Sequence, residues 1–251
     1  HRVFSPMTEE QLDAYRAAYA EQNARFPANG SQKEQRSWYY RRYITDILST
    51  GKTIDDNLGR VLDYLRANGL EDDTVVIYTS DQGFYLGEHS WFDKRWMYEE
   101  SLRTPLIVKW PGHVEPSVKN TTDIVSNLDF AQTFLDIAGI PQPEDMQGAS
   151  LVPVLEGRTP ADWRKSFYYQ YYEGGFHGVP NHYGVTTGRY KLIYFHEYDE
   201  WEFYDLKRDP QETINQYHIP ENETMIKNLK QELARLRTEL EVPNDEEVGT
   251  R

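Results

Sequence analysis

The chain has 251 residues, 38% apolar and 14% aromatic, with 41 acidic against 27 basic side chains and a formal net charge of −14. That charge and a pI near 4.9 argue against general binding of nucleic acid or other anionic polymers through the overall field. No apolar run approaches the roughly 20 residues needed to cross a bilayer, and with no cysteine there is no disulfide, which leaves the compartment open.

In chain order, residues 35–68 predict a helix. Ile54, Leu58, Val61, Leu62 and Leu65 recur at i, i+4, i+7, i+8 and i+11 on one face, and Gly69 can terminate it. A short loop leads to residues 74–79 (TVVIYT), a β-branched apolar run that predicts a buried strand of a parallel sheet. Polar residues begin at its carboxyl end, where open α/β sheets place their active sites.

The next stretch, residues 78–105 (YTSDQGFYLGEHSWFDKRWMYEESLRTP), carries most of the chemistry. Asp81 and Gln82 offer a carboxylate and an amide oxygen, a pairing that favours calcium or magnesium over zinc. His89 could protonate a leaving oxygen, and the Lys94 ammonium could neutralise a tetrahedral oxyanion. Each also has a plainer reading: Asp81 as a turn or helix cap, His89 as a surface loop residue, Lys94 as a solvated charge. Asp93 and Arg95 flank Lys94 and in an extended loop point away from it; they also suit a local surface pair worth at most about 1 kcal/mol. Trp91, Phe92 and Trp96 suit packing of the loop better than stacking on a sugar.

Residues 106–108 form a second apolar run ended by Trp110-Pro111-Gly112. Residues 130–140 read as a helix closed by Gly139 and Pro141. Together these predict a helix-covered sheet of the α/β class over residues 1–160. Beyond about residue 160 come four aromatic runs, at 166–172, 182–187, 190–195 and 201–206, separated by turn residues. They predict a small antiparallel sheet. Met225, Leu229, Leu233, Leu236 and Leu240 recur at helical spacing and would cover one of its faces, making residues 161–251 a small α+β subdomain with a frayed acidic tail after Val242. Between the first two runs, GGFHGVPNHYG holds His177 and His182 in a stretch that suits a ligand-closing rim. Three sequons, at Asn29, Asn120 and Asn222, matter only in a eukaryotic secretory pathway.

Four blocks in order carry a family resemblance: GKTIDDNLGRVLDYLRANGLEDDTVVIYTSD, then SDQG with GEH and DKRWMYEESLRTPLIVKWPG, then SNLDFAQTFLDIAGIPQPEDMQGASLVPVL, and GRYKLIYF with EFYDLKRDPQETIN. Over most of its length the chain resembles the type I sulfatases, particularly those acting on sulfated carbohydrates. The resemblance implies an alkaline-phosphatase-like mixed sheet followed by the α+β subdomain. It makes Asp81 and Gln82 ligands of Ca2+, with Mg2+ possible, although family members more often carry Asn or His at the second position. It places His89 near the leaving oxygen and Lys94 on the sulfate. The Asp93-Lys94-Arg95 triplet looks like the branch that desulfates 6-sulfated N-acetylglucosamine, mucin or heparan, in which the flanking pair binds sugar hydroxyls, and His182 looks like a substrate-contacting histidine.

The chain departs from the family pattern where the nucleophile should be. Formylglycine arises from a C/S-x-P-x-R motif, and Ser5-Pro6-Met7 has the wrong spacing. The resemblance therefore predicts a carboxyl-terminal half, inactive alone, whose partners are a sulfated saccharide and an amino-terminal half carrying the formylglycine. It further implies a periplasmic, secreted or lysosome-like location. Two other readings stand: a phosphodiesterase or phosphonate hydrolase of the same superfamily, against which Gln82 speaks because two-metal phosphatases favour histidine there, and a non-catalytic glycan-binding fragment.

Overall fold

The computed structural model describes residues 7–173 and 177–243, and the chain divides into two compact units, His1–Glu71 and Asp72–Arg251. In the first, Thr8 and Ser31 open α1 (Glu9–Ala24) and α2 (Gln32–Ala67) with reciprocal capping boxes to Gln11 and Glu34. The cap at Ser31 explains why α2 starts earlier than apolar periodicity indicates. Gly69, at φ 65°, closes it: the Gly69 amide donates to Arg66 O and the Leu70 amide to Leu65 O, a pairing that needs a left-handed residue. Arg42 fastens the helices, donating to Asn23 at 2.8 Å and lying 4.0 Å from the centre of the Tyr19 ring. Neither helix has a buried residue, and Ile54 and Val61 on the predicted apolar face are 49% and 54% exposed.

The second unit opens with β1 (Val76–Thr79), followed by the one-turn helix α3 (Glu99–Leu102) and β2 (Leu106–Lys109). The expectation of a buried parallel strand needs correction. Among the described residues β1 pairs antiparallel with β2, Val76 opposite Lys109 and Thr79 opposite Leu106, and all four of its residues are half-buried. A four-residue apolar run does not encode the direction of its partner, and here the chain itself returns through residues 80–105 to supply one.

Helix α4 (Phe130–Ile137) forms as predicted, but the face it buries carries Gln132 and Thr133, while Phe134 is exposed. The Thr133 hydroxyl accepts from the Leu151 amide at 2.8 Å, just ahead of α5 (Val152–Leu155). Asp129, fully buried, is satisfied by Arg164 and by the amides of Ser126 and Ala149.

The four predicted aromatic strands form β3 (Phe167–Tyr171), β4 (His182–Thr186), β5 (Tyr190–Phe195) and β6 (Glu200–Asp205), an antiparallel meander in that order. Strand alternation sorts the side chains onto two faces. Tyr183, Val185, Leu192 and Phe203 pack against Ile226, Leu229, Leu233 and Leu236 of α6 (Glu223–Glu239). Ile193, Phe195 and Tyr204 pack against Tyr85, Met97 and Tyr98. The second layer on this sheet is therefore the segment singled out for chemistry. The acidic tail falls beyond Pro243, outside the described residues, as do Gly174, Gly175 and Phe176 of the predicted rim.

Candidate functional site

Residues 80–105 are folded by their own backbone. Gly83 donates to Ser101 O at 2.7 Å, Tyr85 to Asp93 O at 2.8 Å and Gly87 to Trp91 O at 2.9 Å, and the Ser101 hydroxyl donates to Lys94 O at 2.5 Å. A side chain at Gly83 would put its Cβ 1.9 Å from Glu100 O, so the segment closes only around glycine. From the sheet, the Tyr169 hydroxyl donates to Arg95 O at 2.7 Å.

Asp81 is exposed and Gln82 half-buried. The Ser80 hydroxyl donates to Gln82 O at 2.9 Å and lies 3.4 Å from Asp81 Oδ1. Among the described residues no group of three or more His, Asp or Glu could hold a metal ion. Two hard oxygens at a strand end fit a share in a calcium site, which takes about 6–8 oxygens in all. The pair makes no hydrogen bond or ion pair with His89, Lys94 or His182.

Lys94 is half-buried, and among the described residues its ammonium has no hydrogen-bond or ion-pair partner. Asp93 turns instead to Arg95, whose guanidinium it meets at 2.9 Å, and it also accepts the backbone amides of Lys94 and Arg95. Against the cost of burial, these bonds hold the Asp93 carboxyl below its usual range. Asp93 and Arg95 are thus mutually engaged, as the alternation of side chains predicts, and Lys94 is left free.

His89 sits at φ 51°, ψ 16°, in the left-handed region. Its ring stacks on Tyr98 at 4.6 Å and Trp91 at 5.7 Å and meets Tyr85 edge-on at 5.9 Å, and its Nε2 lies 3.5 Å from Glu100 Oε2. Tyr98 is pinned by donation to Glu202 Oε2 at 2.7 Å, which the Tyr204 hydroxyl also reaches at 3.0 Å. Burial raises the Glu202 carboxyl despite both bonds.

His182 is no rim residue. It opens β4 fully buried, amid Trp96, Tyr169, Tyr171 and Phe195 with ring centres 5.2–5.9 Å away. Nδ1 lies 2.9 Å from Pro180 O, which assigns it the proton, and Nε2 is a buried acceptor without a partner among the described residues. Burial takes this imidazole down to about 4, so it is neutral in ordinary buffers. Asn181 Oδ1 is likewise buried and, among the described residues, without a partner. Through Trp96 the structure brings His182 beside the Asp93-Arg95 loop; His177 stays apart, 4.0 Å from Glu173.

Sequence reasoning missed Glu100, Glu202, Glu212 and Lys191. Lys191, fully buried, meets Glu99 at 2.9 Å and Glu212 at 2.7 Å, and Glu212 accepts the Glu99 amide at 2.7 Å. The one available signal was a lysine inside the otherwise apolar run YKLIYF.

Comparison with known proteins adds an independent line. Residues 7–140 match the family described as "Sulfatase", and residues 87–239 match "N-sulphoglucosamine sulphohydrolase, C-terminal". An N-acetylglucosamine-6-O-sulfatase of Bacteroides thetaiotaomicron is 45% identical over 255 residues, covering 100% of this chain and 46% of that protein. A solved protein bound to its substrate D-glucosamine-2-N,6-O-disulfate superposes with a TM-score of 0.88 at 46% identity, over 94% of this chain and 49% of the other. A multifunctional alkaline phosphatase superfamily protein of Trinickia caryophylli is 31% identical over 190 residues, 71% of this chain and 37% of that protein. The chain spans less than half the length of these curated relatives, 46% of the first and 37% of the second.

Proposed function

We propose, from the premise that this chain belongs to the sulfatase family, that its protein hydrolyses the sulfate ester of a carbohydrate, a 6-O-sulfated N-acetylglucosamine or a related sugar. One observation carries the reading: in a chain with 41 acidic residues, Lys94 stands half-buried with no carboxylate on it among the described residues. An ammonium kept out of an ion pair inside a polar loop is available to an anion. The relatives' names support sulfate as that anion and an amino sugar as its bearer.

Lys94 neutralises charge on the sulfate oxygens, and His89 delivers a proton to the departing sugar oxygen. Asp93 and Arg95 offer an acceptor and a donor fork to the sugar hydroxyls. His182, neutral at working pH, presents the Nε2 lone pair as a further hydroxyl acceptor. Asp81 and Gln82 would hold a share of a calcium ion, with magnesium the second candidate, whose charge would add to that of Lys94; a formylglycine, expected outside these 251 residues, would supply the attacking oxygen. We place the functional division near residue 160, between residues 1–160 and 161–251, with the β3–β6 sheet forming the floor on which the segment 85–98 rests. On the family resemblance we place the protein in a periplasmic, secreted or lysosome-like compartment.

The test is sulfate and phosphate release, with calcium, by the complete reading frame on 6-sulfated N-acetylglucosamine, other sulfated sugars and phosphodiesters. Sulfate release is expected, and Lys94→Ala should lower it by roughly a hundredfold or more while leaving the unfolding midpoint in place. Near-normal release by Lys94→Ala sinks its role. The alkaline phosphatase superfamily relative favours one second reading: phosphate release alone would make the protein a phosphodiesterase or phosphonate hydrolase. No release of either would leave glycan binding.

A further inference from the structure

Lys94, Arg95 and Trp96 follow one another in a turn that belongs to no helix or strand, and among the described residues no main-chain amide donates to their carbonyls. Each carbonyl accepts a side-chain hydroxyl instead. Ser101 donates to Lys94 O at 2.5 Å, Tyr169 to Arg95 O at 2.7 Å and Tyr85 to Trp96 O at 3.1 Å. Ser101 and Tyr85 lie in the same stretch of chain as the turn, whereas Tyr169 comes from β3, 74 residues beyond Arg95.

Tyr169 stands opposite Gly184 in the β3–β4 register, where the missing Cβ leaves room for Met97, so the turn lies against this pair. Burial takes the Tyr169 phenol up to about 12; it keeps its proton and donates throughout the neutral range. Tyr171, two residues on, shares its face of the strand. Burial, with Glu173, raises the Tyr171 phenol while the Arg95 guanidinium pulls against the rise. The same two tyrosine rings flank His182, with centres 5.7 and 5.6 Å away. One face of β3 thus meets Arg95 at its main chain through Tyr169 and at its charged end through Tyr171, while Asp93 takes the guanidinium at 2.9 Å.

We propose that Tyr169 is a positioning residue for sugar recognition: by donating to Arg95 O it fixes the turn so that the Arg95 guanidinium, and the Asp93 carboxylate paired with it, face the sugar hydroxyls. This rests on the reading of Asp93 and Arg95 as the sugar-binding pair. A donor fork reads hydroxyls only while its placement is held to about 0.5 Å by supporting hydrogen bonds. The arginine stem is long and rotatable, so the point that can be fixed is its backbone. Lys94 has its own hydroxyl, on Ser101, so loss of the Tyr169 bond falls on the sugar and spares the sulfate.

The experiment uses the complete reading frame as wild type, Tyr169→Phe, Arg95→Ala and the double variant, at a temperature where all four are folded. Arginine labelled with 13C at the carbonyl and tryptophan labelled with 15N give a correlation only where tryptophan follows arginine. Of the six tryptophans here that is Trp96 alone, and Trp96→Phe identifies its signal in the complete protein. The wild-type Arg95 carbonyl should resonate downfield, as an acceptor of a hydroxyl does, and a signal at the position of a free carbonyl overturns the proposal without any variant. Tyr169→Phe, which keeps the ring and removes one oxygen, should move the signal upfield. On 6-sulfated N-acetylglucosamine it should raise KM about five- to tenfold, the worth of one hydrogen bond, with kcat changed less than about twofold. In the Arg95→Ala background it should add nothing further to KM. An unmoved carbonyl signal in Tyr169→Phe overturns the proposal, as does an unchanged KM, a fall in kcat as large as the rise in KM, or the same rise in both backgrounds. If Arg95→Ala itself leaves KM unchanged, the sugar-binding reading of the pair fails and the proposal falls with it; the carbonyl signal, which needs no substrate, separates that failure from the lack of a Tyr169 bond.

Discussion

The imidazole of His182 shows how burial alone can set what a side chain is able to do. Enclosed by four aromatic rings and donating from Nδ1 to Pro180 O, it drops from the ordinary value of 6.5 to about 4. It is therefore not a cation near neutral pH, and its Nε2 can only accept a hydrogen bond. Between pH 6.5 and 4 the unfolded chain binds a proton that the folded chain does not. Its contribution is thus whole above pH 6.5 and is lost as the pH falls toward 4, by up to about 3 kcal/mol. His182→Asn, whose amide can still donate to Pro180 O, should flatten that part of the profile in denaturant unfolding measured from pH 7 to pH 4. An unaltered acid slope would show that the ring is not buried neutral. The sequence marked this histidine through the glycine- and proline-rich stretch around it but could not reveal its enclosure, because the enclosing rings come from three separate stretches of chain.

Among elements, the β3–β6 meander does two jobs with one alternating pattern. Its strands and α6 were legible because short aromatic runs between turn residues, and an apolar repeat at helical spacing, are local signals. The direction of β1 and the identity of the sheet's second covering layer were not. The first turns on a partner thirty residues away, and the second on contacts between residues 85–98 and strands roughly a hundred residues later. Gly184 marks where these layers close. A Cβ there would lie 2.3 Å from Leu192 O and 2.6 Å from Met97 Sδ; the methionine can move, but the strand carbonyl cannot without breaking the β4–β5 ladder. Gly184→Ala should destabilise the protein by about 1–3 kcal/mol through overpacking. By shifting Met97 it should also lower sulfate release at temperatures where the protein remains folded. Wild-type stability and activity together would mean that the layers are not in such close contact.

Across the larger unit, the segment bearing His89 and Lys94 is clamped to the sheet by buried polar groups. Tyr98 reaches Glu202, and Glu99 meets Lys191 while its amide is capped by Glu212. An apolar interface would hold the layers at less electrostatic risk, since a buried ion pair gains little over packed side chains but is costly to break. What the ionic clamp adds is a fixed register: Lys191 can satisfy both carboxylates in only one placement of Glu99, five residues from Lys94. Burial pushes Glu212 up to about 7 against the pull of Lys191. A carboxyl raised in the folded state adds stability that is full below pH 4.5 and lost as the pH rises through 7. Lys191→Met leaves two carboxylates facing each other without their cation, so it should cost about 3–5 kcal/mol and steepen the loss of stability between pH 5.5 and 8. Adding Glu212→Gln removes the stranded charge, and the double variant should be more stable than the sum of the single losses predicts, by about 0.5–3 kcal/mol. Denaturant unfolding of the four proteins at both pH values measures this coupling. Strict additivity would mean that Lys191 and Glu212 act separately, leaving the register of the segment to its aromatic packing alone.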